Sequence, residues 1–374
     1  MICYLDNAAT AKTREEAIEA MLPAMRENYG NPSGGHSMAR DARRSVEDAR
    51  DLLAGFLGID LGEVIFTSGG TESDNLAITG VHSLKGGTVA CSAIEHDAVL
   101  NPVEKLGGVV LGVGADGVVE LNQIAELPAD TSIVSVMAAN NESGVIQPIS
   151  EVARRVREYL PEAIFHVDAV QGFCWLDLVE VTQLCDMLSL SGHKFGAPKG
   201  VGALVVKAGT KLDPLQLGGG QERERRAGTH NVPGIVGMAA AAEATMNEKS
   251  SGIVDTANLR DVLIDGVLDK IDGVKVTAEN SDRLANIAHL CFEDVDSEAL
   301  LFLLEREGIM ASSASSCASG AMESSHVLSA MGVPAELSKG SLRFSLSYAT
   351  TEEEIQYVLE KLPAAVEQIR SAKQ

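Results

Sequence analysis

Short, uninterrupted apolar runs of β-branched character alternate along this chain with amphipathic helical patterns, and that alternation leaves few folds open. Val64–Thr67, Thr88–Ser92, Val109–Val113, Ile133–Met137, Ile164–Val167, Met187–Ser191 and Val201–Val206 read as strands. A strand without a polar face must be covered on both sides, which points to a mostly parallel sheet flanked by helices. The intervening helices are expected from the Thr13-x-x-Glu16 capping box to about Asn28, from about Ser37 to Leu57, from Glu72 to about Leu84 and over Ser150–Tyr159. An Ala-rich helix starts at Val232, and beyond about Met246 the order changes to helix, strand, strand, helix, loop, strand, helix. Thr351-x-x-Glu354 is a second capping box that opens the last helix. The pattern predicts an α/β chain with a large domain over 13–247 and a smaller α/β domain formed by 1–12 and 248–374. A length of 374 residues, more than one core usually fills, agrees with two domains.

Composition narrows the function. The formal net charge is −23 and aromatic residues make up 4%, so phosphate backbones are repelled and few rings can stack on bases. Direct nucleic-acid binding is disfavoured. No apolar run approaches the roughly 18 residues of a membrane helix. The start, Met1-Ile2-Cys3-Tyr4-Leu5-Asp6, has no basic segment followed by an apolar one, so a cytoplasmic protein is expected. The six cysteines are scattered without a C-x-x-C pair, against both a zinc site and a disulfide scaffold. Five have apolar or strand-like neighbours and read as small buried hydrophobes.

Ligands of open α/β sheets bind beyond the carboxyl ends of the strands, where several short motifs fall. Ser68-Gly69-Gly70-Thr71 joins a strand to a helix; its amides and the Thr71 hydroxyl suit a phosphate, although such turns also arise for structural reasons alone. Asp168 ends a strand and is followed by Gln171. It is either a helix cap or a buried carboxylate paired with a cation such as a protonated pyridine nitrogen. Ser191-Gly192-His193-Lys194 places a lysine just past another strand. Partial desolvation there would deprotonate the amine for reaction with an aldehyde, against the ordinary prior of a surface charge. Ser191 and His193 could add donors to the phosphate, His96 could lie over a flat ring, and the amides of Asn140-Asn141 could reach a ring substituent. Arg343, in an alternating strand, has the planar fork that fits a carboxylate.

The stretch Ala311-Ser312-Ser313-Ala314-Ser315-Ser316-Cys317-Ala318-Ser319-Gly320 holds only small, uncharged residues. It has little to pack into a core and is expected to form a mobile loop. A thiol there suggests a nucleophile that travels between two places. Gly112-x-Gly114-x-x-Gly117 fits a dinucleotide fingerprint but is followed by Val118-Val119-Glu120 instead of a clear helix, so it reads as a turn.

In combination these motifs resemble the cysteine desulfurase family. The resemblance is carried by Phe66-Thr67-Ser68-Gly69-Gly70-Thr71-Glu72-Ser73-Asp74-Asn75, Glu95-His96, Asn140-Asn141-Glu142, His166-Val167-Asp168-Ala169-Val170-Gln171 and Ser191-Gly192-His193-Lys194. Gly218-Gly219-Gly220-Gln221-Glu222 and Arg226-Ala227-Gly228-Thr229 add to it, and it extends from Tyr4-Leu5-Asp6-Asn7-Ala8-Ala9 to Thr350-Thr351-Glu352. It implies a fold-type I enzyme dependent on pyridoxal 5'-phosphate, with a seven-stranded large-domain sheet, usually a homodimer with sites near the subunit interface. Lys194 would hold the cofactor aldehyde, Asp168 the pyridine nitrogen, Gln171 the ring hydroxyl side and Asn141 a further ring contact. His96 would stack on the ring and assist proton transfers. Gly70, Thr71, Ser191 and His193 would hold the phosphate, with Thr229 reaching the partner subunit's cofactor. Asn31 and Arg343 would bind the substrate carboxylate.

The activity implied is removal of sulfur from L-cysteine, giving L-alanine and a persulfide on Cys317, whose loop spans about 311–322. The sulfur would pass to an acceptor protein, such as an iron–sulfur scaffold or a thiolation partner. A selenocysteine lyase or another class V aminotransferase is the alternative. Two departures stand out: Ala314-Ser315-Ser316-Cys317 where the family often has Gly-Ser-Ala-Cys, and His230 after Thr229 where Glu is common.

Overall fold

A computed structural model describes residues 1–59, 63–313 and 325–372. The expected strands assemble into one seven-stranded sheet in the order Glu63–Thr67, Gly202–Val206, Met187–Ser191, Ile164–Asp168, Ile133–Ser135, Val89–Ser92, Val109–Leu111. Gly202–Val206 runs antiparallel to both neighbours and every other pairing is parallel. The chain is therefore α/β with a mostly parallel central sheet. Strands such as Met187–Ser191 and Val89–Ser92 are buried at every residue, which is why they read as continuous apolar runs. The carboxyl ends of five of these strands, at Thr67, Ser92, Ser135, Asp168 and Ser191, face one edge of the sheet.

A second core surrounds the antiparallel sheet Ser312–Ser313, Ser341–Ser345, Ile287–Phe292, Val274–Val276. Leu5 and Cys3 belong to this core, so the N-terminal segment packs with the C-terminal part of the chain. Cys3–Tyr4 also pairs in parallel with Ile309–Met310.

Two expectations about helices need correcting. The first helix runs Glu15–Arg26, and the Thr13-x-x-Glu16 box does not form: Arg14 is the N-cap and supplies no side-chain cap. Instead the Arg14 N–H donates to the Gly196 carbonyl at 2.9 Å and its guanidinium pairs with Glu248 at 2.9 Å, so long-range contacts set that helix start. The change of order placed near Met246 falls inside one unbroken helix, Val232–Lys270. Its early residues, Ile235 and Met238, pack in the core around the large sheet, while Leu263 and Val267 pack in the second core. The Thr351–Glu354 box does form, with the Glu354 N–H donating to Thr351 Oγ1 at 3.2 Å and the Thr351 N–H to Glu354 Oε2 at 2.9 Å. At Gly114–Gly117 the chain makes a turn closed by the Val113–Val119 bridge.

Candidate active site

A cavity of about 1000 Å³ opens at the carboxyl edge of the sheet. Strand ends bring Gly70, Thr71, His96, Asn141, Asp168, Gln171, Ser191, His193 and Lys194 into its lining, and the second sheet adds Arg343.

One wall begins where Glu63–Thr67 gives way to the helix Gly70–Lys85. The turn is pinned by Thr67 Oγ1 against Ser73 Oγ at 2.8 Å and by the Ser68 N–H donating to Glu72 Oε2 at 2.7 Å. It is packed without slack: a Cβ at Gly70 would lie 2.7 Å from Val170 Cγ2, and one at Gly202 would lie 2.6 Å from the Gly69 Cα. The first amides of a sixteen-residue helix thus face the cavity beside Thr71, Ser191 and His193. His193 Nδ1 contacts Thr10 Oγ1 at 3.1 Å, and burial, aided by Lys194 and Lys199, pushes its pKa down to about 4. The donors here are mainly neutral groups and a helix dipole, the set that binds a phosphate.

Lys194 lies on the single turn Gly192–Lys194 after its strand. Its Nζ donates to the Ala8 carbonyl at 2.6 Å and the Ala9 carbonyl at 3.0 Å. Burial first, then the Arg343 charge, push its pKa down to about 8, with Asp168 and Asp6 opposing. Gln171 Nε2 donates to the same Ala8 carbonyl at 2.8 Å. Asp168 is 5% exposed; Oδ1 accepts the Val170 N–H at 2.8 Å, and burial raises its pKa while His96 and Lys194 pull it down. Such a carboxyl favours a cationic partner in the cavity. His96 caps the helix Asp97–Lys105, its Nδ1 accepting the Ala98 N–H at 3.0 Å, which leaves Nε2 as the free nitrogen. The Asn141 carbonyl and the Asp6 carboxylate hold the two terminal nitrogens of Arg343, each at 2.8 Å.

Two residues expected at the site do not line this cavity. Asn31 is exposed, with Oδ1 accepting the Ser33 N–H at 3.0 Å, and Thr229 is exposed in the loop after Gly228. His230 turns inward, Nε2 at 2.9 Å from Glu222 Oε1, and Glu222 also binds Arg50 at 2.7 Å and the Phe66 N–H at 3.0 Å. Cys317 lies outside the described residues, but both flanks of its segment reach the site. Ala311, Ser312 and Ser313 line the cavity. On the return, Ser325 Oγ donates to Glu142 at 2.5 Å and His326 Nε2 meets the Glu95 carbonyl at 2.9 Å. The other five cysteines are buried, and burial raises the thiols of Cys174 and Cys185 to about 12.

The motif reading missed several groups. Thr10, the Ala8 and Ala9 carbonyls, Asp74 and Glu142 all line the cavity or hold its residues. Asp74 is 1% exposed; its Oδ1 lacks a hydrogen-bond partner among the described residues and lies 3.7 Å from His166 Nε2. Burial, and then the Asp168 charge, raise the Asp74 pKa, while burial lowers that of His166 to about 3, so the imidazole is neutral. Asp74 could have been flagged as a charged residue on an otherwise apolar helix face.

Comparison with known proteins agrees with this geometry. The aminotransferase class-V family model matches residues 3–358. The chain is 44% identical to the cysteine desulfurase IscS of Dictyoglomus turgidum, covering 98% of this chain and 95% of that protein. It is also 44% identical to that of Methanosarcina thermophila, covering 98% and 93%. Among solved structures, a NifS-like protein superposes with a TM-score of 0.91 at 37% identity, over 98% of this chain and all (100%) of the other. SspA, solved in complex with cysteine, superposes with a TM-score of 0.80 at 30% identity, over 93% and 100%. An amine, a carboxyl and a glycine-turn helix start converge at one strand edge, and full-length relatives share the whole frame. The chain belongs to the aminotransferase class-V family, among its cysteine desulfurases.

Proposed function

We propose that this chain is a pyridoxal 5'-phosphate-dependent cysteine desulfurase: it takes sulfur from L-cysteine, releases L-alanine, and holds the sulfur as a persulfide on Cys317 for delivery to an acceptor protein. The observation that carries the reading is that Lys194, Asp168 and the Gly70–Thr71 helix start line one cavity to which both flanks of the Cys317 segment are attached.

The residues fit the cofactor. The free amides and neutral hydroxyls suit its phosphate, the buried Asp168 suits its pyridine nitrogen, and an amine with a pKa near 8 suits its aldehyde. When bound, the cofactor withdraws the electron pair of the substrate α-carbon. Asp168 would keep the ring nitrogen protonated, Gln171 and Asn141 would contact the ring, and His96 would stack on it and assist proton transfers. Arg343 fixes the substrate carboxylate. Lys194 would act as the base at the α-carbon and return its proton before product leaves. Cys317 attacks the substrate sulfur: an S–S bond forms and the Cβ–S bond breaks. The bonding electron pair stays on the three-carbon product, which takes up a proton and leaves as alanine. Atoms balance, since cysteine and a thiol become alanine and a persulfide.

Asn31 is assigned, with Arg343, to the substrate carboxylate and Thr229 to the partner's cofactor, in a homodimer. A separate iron–sulfur scaffold or thiolation protein in the cytoplasm is the assigned acceptor. Among the described residues no helix is long and apolar enough to cross a membrane. Loading with pyridoxal phosphate tests the enzyme reading: wild type develops an absorbance band and produces alanine from L-cysteine, and Lys194→Ala does neither. A Lys194→Ala variant that retains both would refute it.

A further inference from the structure

Arg343 already has a counter-ion. Its Nη2 donates to Asp6 Oδ1 at 2.8 Å, while Nη1 donates to the uncharged Asn141 carbonyl. The two partners are held unequally: the arginine side chain is 8% exposed and the aspartate 24%. Arg343 sits in the middle of its strand, in register with His289 on one side and Ser312 on the other. Asp6 contacts the arginine through one oxygen. The backbone after it is fixed independently, by Asn7 Nδ2 donating to the Ser345 carbonyl and the Ala8 N–H to Ser345 Oγ, each at 2.9 Å. The Asp6 side chain can therefore turn toward solvent without disturbing the Ala8 and Ala9 carbonyls that hold Lys194.

Two carboxylates on one guanidinium repel each other, so an incoming carboxylate engages Arg343 fully only when Asp6 leaves. We propose that Asp6 is the resident counter-anion of Arg343, displaced by the substrate carboxylate, and that it sets the site's selectivity for amino acids over simple anions. The proposal rests on Arg343 being the carboxylate receptor. An amino acid bonds at both its carboxylate and its amine and so outcompetes Asp6. A carboxylate with no amine gains about what the Asp6 contact loses, and is kept out.

Lys194 senses the same pair. It faces Arg343, Asp168 and Asp6, with His193 beside it. Removing the Asp6 charge leaves Arg343 uncompensated and moves the pH midpoint of pyridoxal phosphate capture by the cofactor-free protein downward.

The test compares wild type, Asp6→Asn, Asp6→Glu and Arg343→Gln. It reads KM for L-cysteine, inhibition by propionate (a carboxylate without an amine) and the dissociation constant of cysteamine (the amine and thiol without a carboxylate). In Asp6→Asn, KM for L-cysteine is expected to fall and propionate inhibition to strengthen, each by about fivefold, as for loss of a partly exposed charged hydrogen bond. Cysteamine binding stays unchanged, the capture midpoint drops, and Asp6→Glu, which keeps the charge, restores the capture midpoint and the exclusion of propionate. An Asp6→Asn variant with raised or unchanged KM and no new propionate sensitivity overturns the proposal, because Asp6 would then be aiming Arg343 and not competing for it. Arg343→Gln should weaken L-cysteine and spare cysteamine; equal weakening of both overturns the carboxylate reading itself, and the proposal with it.

Discussion

At the scale of single residues, the site depends on groups whose protonation is set by burial. Only a neutral amine attacks an aldehyde, and Lys194 is pushed down to about 8. Capture of pyridoxal phosphate by the cofactor-free protein should therefore accelerate from pH 6 and level off above pH 9, with its midpoint near pH 8. Stopped-flow absorbance reads this directly; a lysine at its ordinary value would still be climbing at pH 10. Glu95 illustrates the opposite charge. It is fully buried, its Oε1 accepts from Ser92 Oγ at 2.6 Å and the Met137 N–H at 2.8 Å, and burial raises its pKa from 4.5 to about 8. Between those values the folded state holds a proton that the unfolded chain has lost, so this group's contribution to stability falls as pH rises from about 4.5 to about 8. Glu95→Gln mimics the neutral acid. Its urea midpoint should exceed that of wild type at pH 8 and match it at pH 4, and an equal shift at both would contradict the assignment. Lys194 and Asp168 stood out in the sequence because one lies just past an apolar strand and the other ends one. Glu95 was passed over in favour of its neighbour His96. The Ala8 and Ala9 carbonyls carry no side-chain signal, and Thr10 reaches His193 across most of the large sheet's length of chain.

At the scale of elements, the cavity depends on close approach between backbones. A Cβ at Gly202 would meet the Gly69 Cα at 2.6 Å and the Leu190 carbonyl at 2.7 Å. No flexible side chain there can yield, so Gly202→Ala should displace the glycine turn and weaken pyridoxal phosphate binding by about tenfold, roughly 1.4 kcal/mol, by fluorescence titration. Ser325 joins two elements: its Oγ caps its own helix through the Leu328 N–H at 3.1 Å and donates to Glu142 across the site. Ser325→Ala loses both bonds and should cost about 1–2 kcal/mol in denaturant titration. It should also slow sulfur loading of Cys317 more than it alters the cofactor spectrum. Elements with strong periodicity, such as the buried strands and the Thr351 capping box, could be read in advance. The start of the first helix could not, because Gly196 and Glu248, far along the chain, decide it. Nor could the run of Val232–Lys270 through both cores, since each half shows its own core's pattern.

At the scale of the whole molecule, one sheet edge supplies the cavity, the second sheet supplies Arg343 and the Ser312–Ser313 flank of the Cys317 segment, and the return flank packs Val327 and Met331 against Ile94 and Met137. Neither half alone holds a complete set of groups for moving sulfur. The step that defines the proposed activity moves sulfur from L-cysteine to Cys317. Mass spectrometry of the intact protein, loaded with pyridoxal phosphate and given L-cysteine, measures that directly alongside alanine release. Wild type should gain one sulfur atom at Cys317 and release one alanine for each sulfur gained, while Cys317→Ser gains none and releases almost no alanine. Alanine release undiminished in Cys317→Ser, or a wild type that never gains sulfur, would contradict the account.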